Sequence, residues 1–365
     1  MEIKWKSNPN YRSSLSTKEI MKQLTIALAV VYVFGLVRSF AKGTRYGINV
    51  IVMMIVALVC ALGTEAIWAK VQKQDVKKYL SNSFGWVTAM IIVLCCRNTI
   101  TPYAIGVATI IAIFFGKLVY GGFGQNVFNP AGVGRAIIGT SFSTAVITDA
   151  VSGATPTATL ASAGWLMKTN AFNTYLSDFG GLTNFWIGWY DGAIGETSAL
   201  LLIVVAIYLA YKKVIDWRIT VTYVGTIFLG TTIMGLVNGV GMAYPLAFVS
   251  TGGIFFAAVF MLTDPVTCPN TRSGKIIFAA FAALMTVLIR LFANLPEGVV
   301  FSILLANIMT PVIEKVLLGK QVDMEKKLNL WVSVFVIAVI VIIALCATGL
   351  TLHNSYASVM ALGGQ

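Results

Sequence analysis

Runs of about twenty mainly apolar residues recur along most of this 365-residue chain, and they constrain its fold more than any other feature. A hydrocarbon layer offers no partners to backbone N–H and C=O groups, so only segments that satisfy those groups internally can cross it. A helix needs ~20 residues for the crossing, whereas a membrane β-barrel would alternate apolar and polar residues. The chain is 58% hydrophobic and 11% charged, an imbalance that excludes an ordinary soluble domain. The runs predict helical spans at about 24–41, 46–69, 83–97, 102–119, 131–147, 197–212, 219–238, 243–262, 276–293, 298–317 and 329–352. The expected fold is an all-α polytopic membrane protein of about ten to eleven transmembrane helices. Residues 1–22 form a basic N-terminal segment, 23–147 hold five spans, and 148–196 make one long external loop. Residues 197–318 hold five more spans, and 319–365 add a further helix and an external tail.

The net charge of +12 would suggest a nucleic-acid partner in a soluble protein, but here its distribution along the loops is what carries information. The first span follows Lys4, Lys6, Arg12, Lys18 and Lys22 and has no small-residue cleavage site, so it is expected to stay as an anchor. Alternating the spans from a cytoplasmic N-terminus puts Lys70, Lys77, Lys212, Lys213, Arg272 and Lys315 inside. The loop 148–196, with Asp149, Asp178, Asp191 and Glu196 against the single base Lys168, falls outside. The turn holding Lys42 and Arg45 breaks the rule, because it also falls outside. None of the five cysteines is spaced as a Cys-x-x-Cys pair, so no iron–sulfur cluster held by this chain alone is expected. Cys95 and Cys96 read as small packing residues.

Three polar stretches interrupt the apolar pattern. In the long loop, Asp149-Ala150-Val151-Ser152-Gly153-Ala154-Thr155 presents a threonine flanked by residues with almost no side chain. It resembles the segment that membrane flavin transferases modify with FMN through a phosphoester. A string this short arises readily in surface loops, yet its external placement and its spacing from Asp149 favour the attachment reading. The other two stretches, Gly121 to Arg135 and Thr263 to Lys275, lie on the inner face and pair Asn129-Pro130 or Asp264-Pro265 with a later base. Irregular backbone at membrane depth has to be buried in protein or to line a cavity. These stretches therefore predict an inner-face cavity in which Arg135 or Lys275 offsets charge on a cofactor or partner. Helix-start chemistry alone also accounts for both. The aromatic run Phe185 to Tyr190 reads as an anchor at the membrane surface.

Taken together, the motifs are similar to those of a membrane-subunit family shared by Rnf complexes (the D subunit) and sodium-pumping NADH:quinone oxidoreductases (the B subunit). Besides the flavin segment, the resemblance rests on Lys117-x-x-Tyr120-Gly121-Gly122-x-Gly124-x-Asn126-x-Phe128-Asn129-Pro130-Ala131, Gly195-Glu196-Thr197-Ser198, Asp216-Trp217-Arg218, Thr263-Asp264-Pro265-Val266-Thr267 and Pro296-Glu297-Gly298. It runs to about residue 318, and the compact N-terminus favours the Rnf type; the helix near 329–352 is a departure. The resemblance implies a subunit of an ion-translocating oxidoreductase that relays electrons between ferredoxin and NAD(H), both reached through partner subunits, and is coupled to Na+ or H+ export. It also implies covalent FMN on Thr155, with Asp149, Ser152, Gly153 and Ala154 as the attachment motif. A membrane flavin transferase would be the modifying enzyme, and non-covalent riboflavin a second cofactor. Asn129, Arg135 and Lys275 are the expected cofactor-side residues at the inner cavity. The ionisable residues Glu65, Lys117, Asp264 and Arg290 lie in or near spans, where a lone charge is costly. Glu65 and Asp264 have the oxygen chemistry that suits a hard cation such as Na+. His353 reads as a surface residue. The setting is a bacterial or archaeal plasma membrane, with lipid as the surrounding partner and no nucleic acid. The alternatives are the quinone-reducing relative, a secondary transporter or channel built on broken helices, and a structural scaffold.

Overall fold

The computed structural model describes residues 16–148, 153, 155–165, 167–293, 298–317 and 328–346. Asp149, Ser152, Ala154 and His353 lie outside the described residues, as do the first fifteen residues and the final tail. The described chain is helical and carries no named strand.

Two long helices open the fold. Helix α1 (Thr17–Lys42) starts where the Ser16 Oγ accepts the Glu19 N–H, and α2 (Thr44–Val71) returns alongside it. A short α3 (Val76–Ser83), capped by Asp75, leads into α4 (Gly85–Leu94) and α5 (Pro102–Leu118). The last turn of α5, Phe114–Leu118, is a π-turn. Helix α6 (Pro130–Ser141) follows the Asn129 cap and packs against α4, α5 and the later α15. The long insertion is itself structured as α7 (Pro156–Ser162), α8 (Thr169–Asp178) and α9 (Leu182–Ile187). The remaining helices are α10 (Ala199–Tyr211), α11 (Trp217–Val237), α12 (Ala243–Ser250), α13 (Ile254–Met261), α14 (Arg272–Phe292), α15 (Gly298–Leu317) and α16 (Leu328–Cys346).

Six of these, α1, α2, α11, α14, α15 and α16, are long and apolar enough to cross a bilayer. A seventh span results if α12 and α13 count as one, bent by 60°. Among the described residues the other expected spans coincide with shorter apolar helices such as Gly85–Leu94, Pro102–Leu118 and Ala199–Tyr211, and the reason for their shortness is physical. Apolar composition does not distinguish helix from apolar irregular backbone. The expected span 83–97 is helical only over Gly85–Leu94, 131–147 only as far as Ser141, and 197–212 only over Ala199–Tyr211. The expected span 243–262 breaks at Gly252 and Gly253, whose φ values of 70° and 76° lie in the left-handed region that favours glycine.

Between α4 and α5 the chain runs irregularly through the protein interior, and its backbone groups are satisfied from three directions. Ile147 N–H donates to Thr99 O and Thr101 N–H to Ala145 O, while Ile194 N–H and Gly195 N–H donate to Cys96 O and Leu94 O. From α2, the Asn49 amide donates to Asn98 O at 2.8 Å and Ile100 O at 2.9 Å. Buried backbone outside a helix is tolerated on these terms. The end of the insertion is consequently not a free loop: Ala193–Gly195 is stitched into the body, where Ile194 lies against Gly35 of α1 with no room for a Cβ there. The aromatic run divides, with Phe185 and Tyr190 in the core and Trp189 facing outward.

Helix packing elsewhere relies on small residues. Ala57, Ala61, Ala279, Ala282 and Ala283 are fully buried, which lets the backbones approach closely.

Candidate functional site

Thr155 stands where the insertion re-enters regular structure. Its backbone is extended, Pro156 supplies a favoured first helical position, and its Oγ1 accepts the Ala158 N–H at 3.2 Å. Only 6% of the residue is exposed. Thr155 lines a cavity of about 60 Å³ together with Arg97, Arg135, Tyr190, Glu196 and Gly252, and its Oγ1 also lies 3.3 Å from the Thr157 hydroxyl. A second void, of about 10 Å³, borders Thr155 together with Lys42, Arg97 and Asp191.

The approach to Thr155 is held by Asp191. Both its carboxylate oxygens accept from Lys42 Nζ, at 2.8 and 2.9 Å, and Oδ2 also accepts the Gly153 N–H at 3.0 Å. A Cβ on residue 153 would overlap that same oxygen, so any larger residue there has to push the Asp191 carboxylate aside. The contact also accounts for the charge anomaly at the α1–α2 turn. Lys42 lies at the same end of the molecule as the acidic insertion because it is the partner of an acid there.

At the opposite end, the two irregular stretches come together around a cavity of about 70 Å³ lined by Lys117, Asn126, Asn129, Asp264 and Val266. Each stretch follows a π-turn, Phe114–Leu118 or Ala257–Met261. Asn129 joins them: Oδ1 caps α6 by accepting the Ala131 N–H, Nδ2 donates to Met261 O, and its own N–H donates to Asn307 Oδ1. Among the described residues one Nδ2 hydrogen of Asn129 has no acceptor.

The two expected bases are elsewhere. Arg135 lies six residues further along α6 and lines the Thr155 cavity. Lys275 bonds Asp216 at 3.0 Å. Burial alone would push the Asp216 carboxyl up, but hydrogen bonds from Lys275 and the Arg218 N–H hold it below its ordinary value. The base at the inner cavity is instead Lys117. It is paired with Glu65 Oε1 at 2.8 Å, both side chains being almost fully buried, and it also donates to Ser83 O. Ser83 Oγ donates to the same Glu65 oxygen, while Glu65 Oε2 is buried without a partner among the described residues. Asp264 accepts from the Val266 N–H and the Thr267 hydroxyl. Among the described residues no three His, Cys, Asp or Glu side chains gather as a metal site.

Arg290 of α14 is fully buried. Nη2 donates to Gly252 O at 2.8 Å, and the guanidinium lies 4.8 Å from the Phe248 ring centroid and 5.3 Å from that of Trp165. The carbonyl it holds belongs to a wall residue of the Thr155 cavity.

A family model described as "NQR2, RnfD, RnfE family" matches residues 4–323. The chain belongs to that family. Among its relatives, the D subunit of the proton-translocating ferredoxin:NAD(+) oxidoreductase complex of Clostridium ljungdahlii is 35% identical over 322 residues, covering 85% of this chain and 92% of the relative. The D subunit of the Na(+)-translocating complex of Acetobacterium woodii is 34% identical over 317 residues, with the same coverage of each chain. The D subunit of the ion-translocating oxidoreductase complex of Halorhodospira halophila is 29% identical over 345 residues, covering 84% of this chain and 92% of the relative. The sequence motifs and these matches thus agree on an NQR2, RnfD, RnfE family member of the RnfD type.

The residues around Thr155 fit a phosphoester. Its hydroxyl borders the cavity while accepting the Ala158 N–H and bonding the Thr157 hydroxyl, the wall carries Arg97 and Arg135, and of the two carboxylates in that wall, Asp191 and Glu196, Asp191 is offset by Lys42. A cavity of about 60 Å³ takes the phosphoryl group but not a flavin ring, which would have to extend beyond it. The sequence reading missed Arg97, Lys42 and Asp191 as site residues. The misplaced charge at Lys42 was the one available signal for any of the three.

Proposed function

We propose that this chain is the flavin-bearing membrane subunit of an Rnf-type ion-translocating ferredoxin:NAD oxidoreductase, active as part of the assembled complex with its other subunits. The observation that carries the flavin reading is the Thr155 hydroxyl, buried beside an arginine-lined cavity and approached through a glycine whose N–H bonds Asp191. In the attachment step Thr155 Oγ attacks the flavin-side phosphorus of a flavin dinucleotide held by the transferase. The phosphoanhydride bond to AMP breaks, AMP leaves, and the hydroxyl proton passes to a base of the transferase. The bound isoalloxazine supplies one-electron chemistry, while the protein supplies position and local polarity. Thr155 Oγ fixes the tether, Arg97 and Arg135 supply positive charge, and the Lys42–Asp191 pair holds the approach.

Thr155 belongs on the external side of the membrane and the basic helix ends on the cytoplasmic side. Basic groups such as Lys70, Lys212 and Lys275 all lie at helix ends away from Thr155, as the positive-inside rule expects. Ferredoxin and NAD(H) act through partner subunits. Non-covalent riboflavin rests on the family resemblance alone, because the cavity of about 70 Å³ between the two irregular stretches, where Asn129 lies, is also too small for a flavin ring. Glu65, through its unpartnered oxygen, and Asp264 are the proposed carboxylates on the ion path.

The ion itself is open to a direct test, because relatives named for H+ and for Na+ stand at 35% and 34% identity. Ferredoxin:NAD activity in vesicles that rises with Na+ selects the sodium pump, and indifference to Na+ selects the proton pump. The flavin reading is tested by denaturing the chain after expression with a flavin transferase and viewing the gel under ultraviolet light. A fluorescent band that is lost in Thr155→Val supports it. A dark wild-type band, or a fluorescent Thr155→Val, overturns it.

A further inference from the structure

We propose that Arg97 is the phosphate-holding residue of this site and that the Lys42–Asp191 pair keeps the neighbouring carboxylate from opposing it. This rests on the Thr155 anchor proposed above. A phosphorus ester-linked to Thr155 lies one covalent bond from Oγ1, so it has to occupy space contiguous with that oxygen. Two voids border Thr155, and Arg97, Asp191 and Gly192 line both of them. Whichever void receives the phosphoryl group, Arg97 is in its wall.

Among the described residues the Arg97 side chain has no ion pair or hydrogen-bond partner, in contrast to Lys42, Lys117, Arg218 and Lys275. It is half-buried, which favours a bound anion over a fully hydrated one. A planar guanidinium matches two non-bridging phosphate oxygens with two parallel N–H bonds, a geometry that an ammonium does not reproduce. Asp191 and, in the larger void, Glu196 carry the wrong charge for this role; both Asp191 oxygens are taken by Lys42, one of them also by the Gly153 N–H, and Glu196 is likewise not without a partner. The phosphodiester brings one negative charge to Arg97, and the attachment itself consumes only the flavin dinucleotide and releases AMP.

The test compares wild type, Arg97→Gln and Arg97→Lys, each as the full chain in membranes with an active flavin transferase. Loading is read as in-gel flavin fluorescence per unit of protein. Loading is expected to fall about tenfold in Arg97→Gln and to be restored in part by Arg97→Lys; Arg97→Gln loading within twofold of wild type overturns the proposal. A second measurement leaves the residue in place, so that misfolding of a variant does not decide the matter. Wild-type chain made with and without the transferase is treated with phenylglyoxal, and the adduct on Arg97 is measured by peptide mass spectrometry. Attachment is expected to protect Arg97 several-fold, and equal labelling of loaded and unloaded chain overturns the proposal. If wild type loads and Thr155→Val stays dark while both Arg97 measurements are negative, the anchor stands and only the role of Arg97 falls.

Discussion

Gly153 illustrates how one absent side chain sets a site. Its N–H reaches Asp191 Oδ2 at 3.0 Å, and a methyl group there would overlap the same oxygen. Relieving the overlap means turning the Asp191 carboxylate away from the Gly153 N–H and from Lys42, a local rearrangement at a part-exposed side chain. Gly153→Ala is therefore expected to lower flavin loading about tenfold while the melting temperature of the detergent-solubilised chain stays within a few degrees of wild type. Equal loading would show that the Asp191 contact is dispensable. Thr155 and Gly153 were legible in the sequence because they stand together in one short string. Arg97 was not, because it lies 58 positions before Thr155, next to two buried cysteines, in what reads as the end of an apolar helix. Its relevance comes from the backbone pairing that carries residues 95–101 past the insertion, and no local pattern encodes that pairing. Arg135 shows the converse. Its distance from Asn129 was visible, but six helical residues are enough to move a side chain from one cavity to the other.

Among the elements, the irregular strip between α4 and α5 depends most on distant partners. Asn49 alone supplies donors to two of its carbonyls, Asn98 O and Ile100 O. A buried carbonyl left without a donor costs about 1–3 kcal/mol. Asn49→Leu, similar in volume but without the amide, is expected to destabilise the chain by about 3 kcal/mol and to reduce flavin loading as well, since Arg97 sits in the same strip. Thermal unfolding in detergent and in-gel fluorescence report the two effects. Loss of stability with full loading would separate the strip from the site. Hydropathy could not reveal this element, because Cys95, Cys96 and Ile100 are as buried and apolar as helix residues. What the sequence did disclose was the pair of Asn/Asp-Pro stretches, whose prolines and glycines exclude regular helix, and the two do line one cavity.

Over the whole molecule, the long helices α1, α2, α11, α14 and α15 enclose shorter pieces that stop partway through. Helix α6 is the piece with the most to say about coupling, since Asn129 at its start lines one cavity and Arg135, about 9 Å further along the axis, lines the other. If both cavities are wetted from their own sides, the insulating layer here is far thinner than the ~30 Å of hydrocarbon around it. The membrane voltage then falls across this thin septum, and an elementary charge moved over it exchanges about 2.3 kcal/mol per 100 mV with the field. Reduction of flavin on Thr155 by an electron donor on the opposite side of the membrane is accordingly expected to change with an imposed potassium diffusion potential in sealed vesicles, and a flavin reduction level indifferent to voltage would mean that no charge crosses this septum on the way to it. A half-length helix, which is a poor membrane anchor, thereby serves as the dielectric of a molecular capacitor.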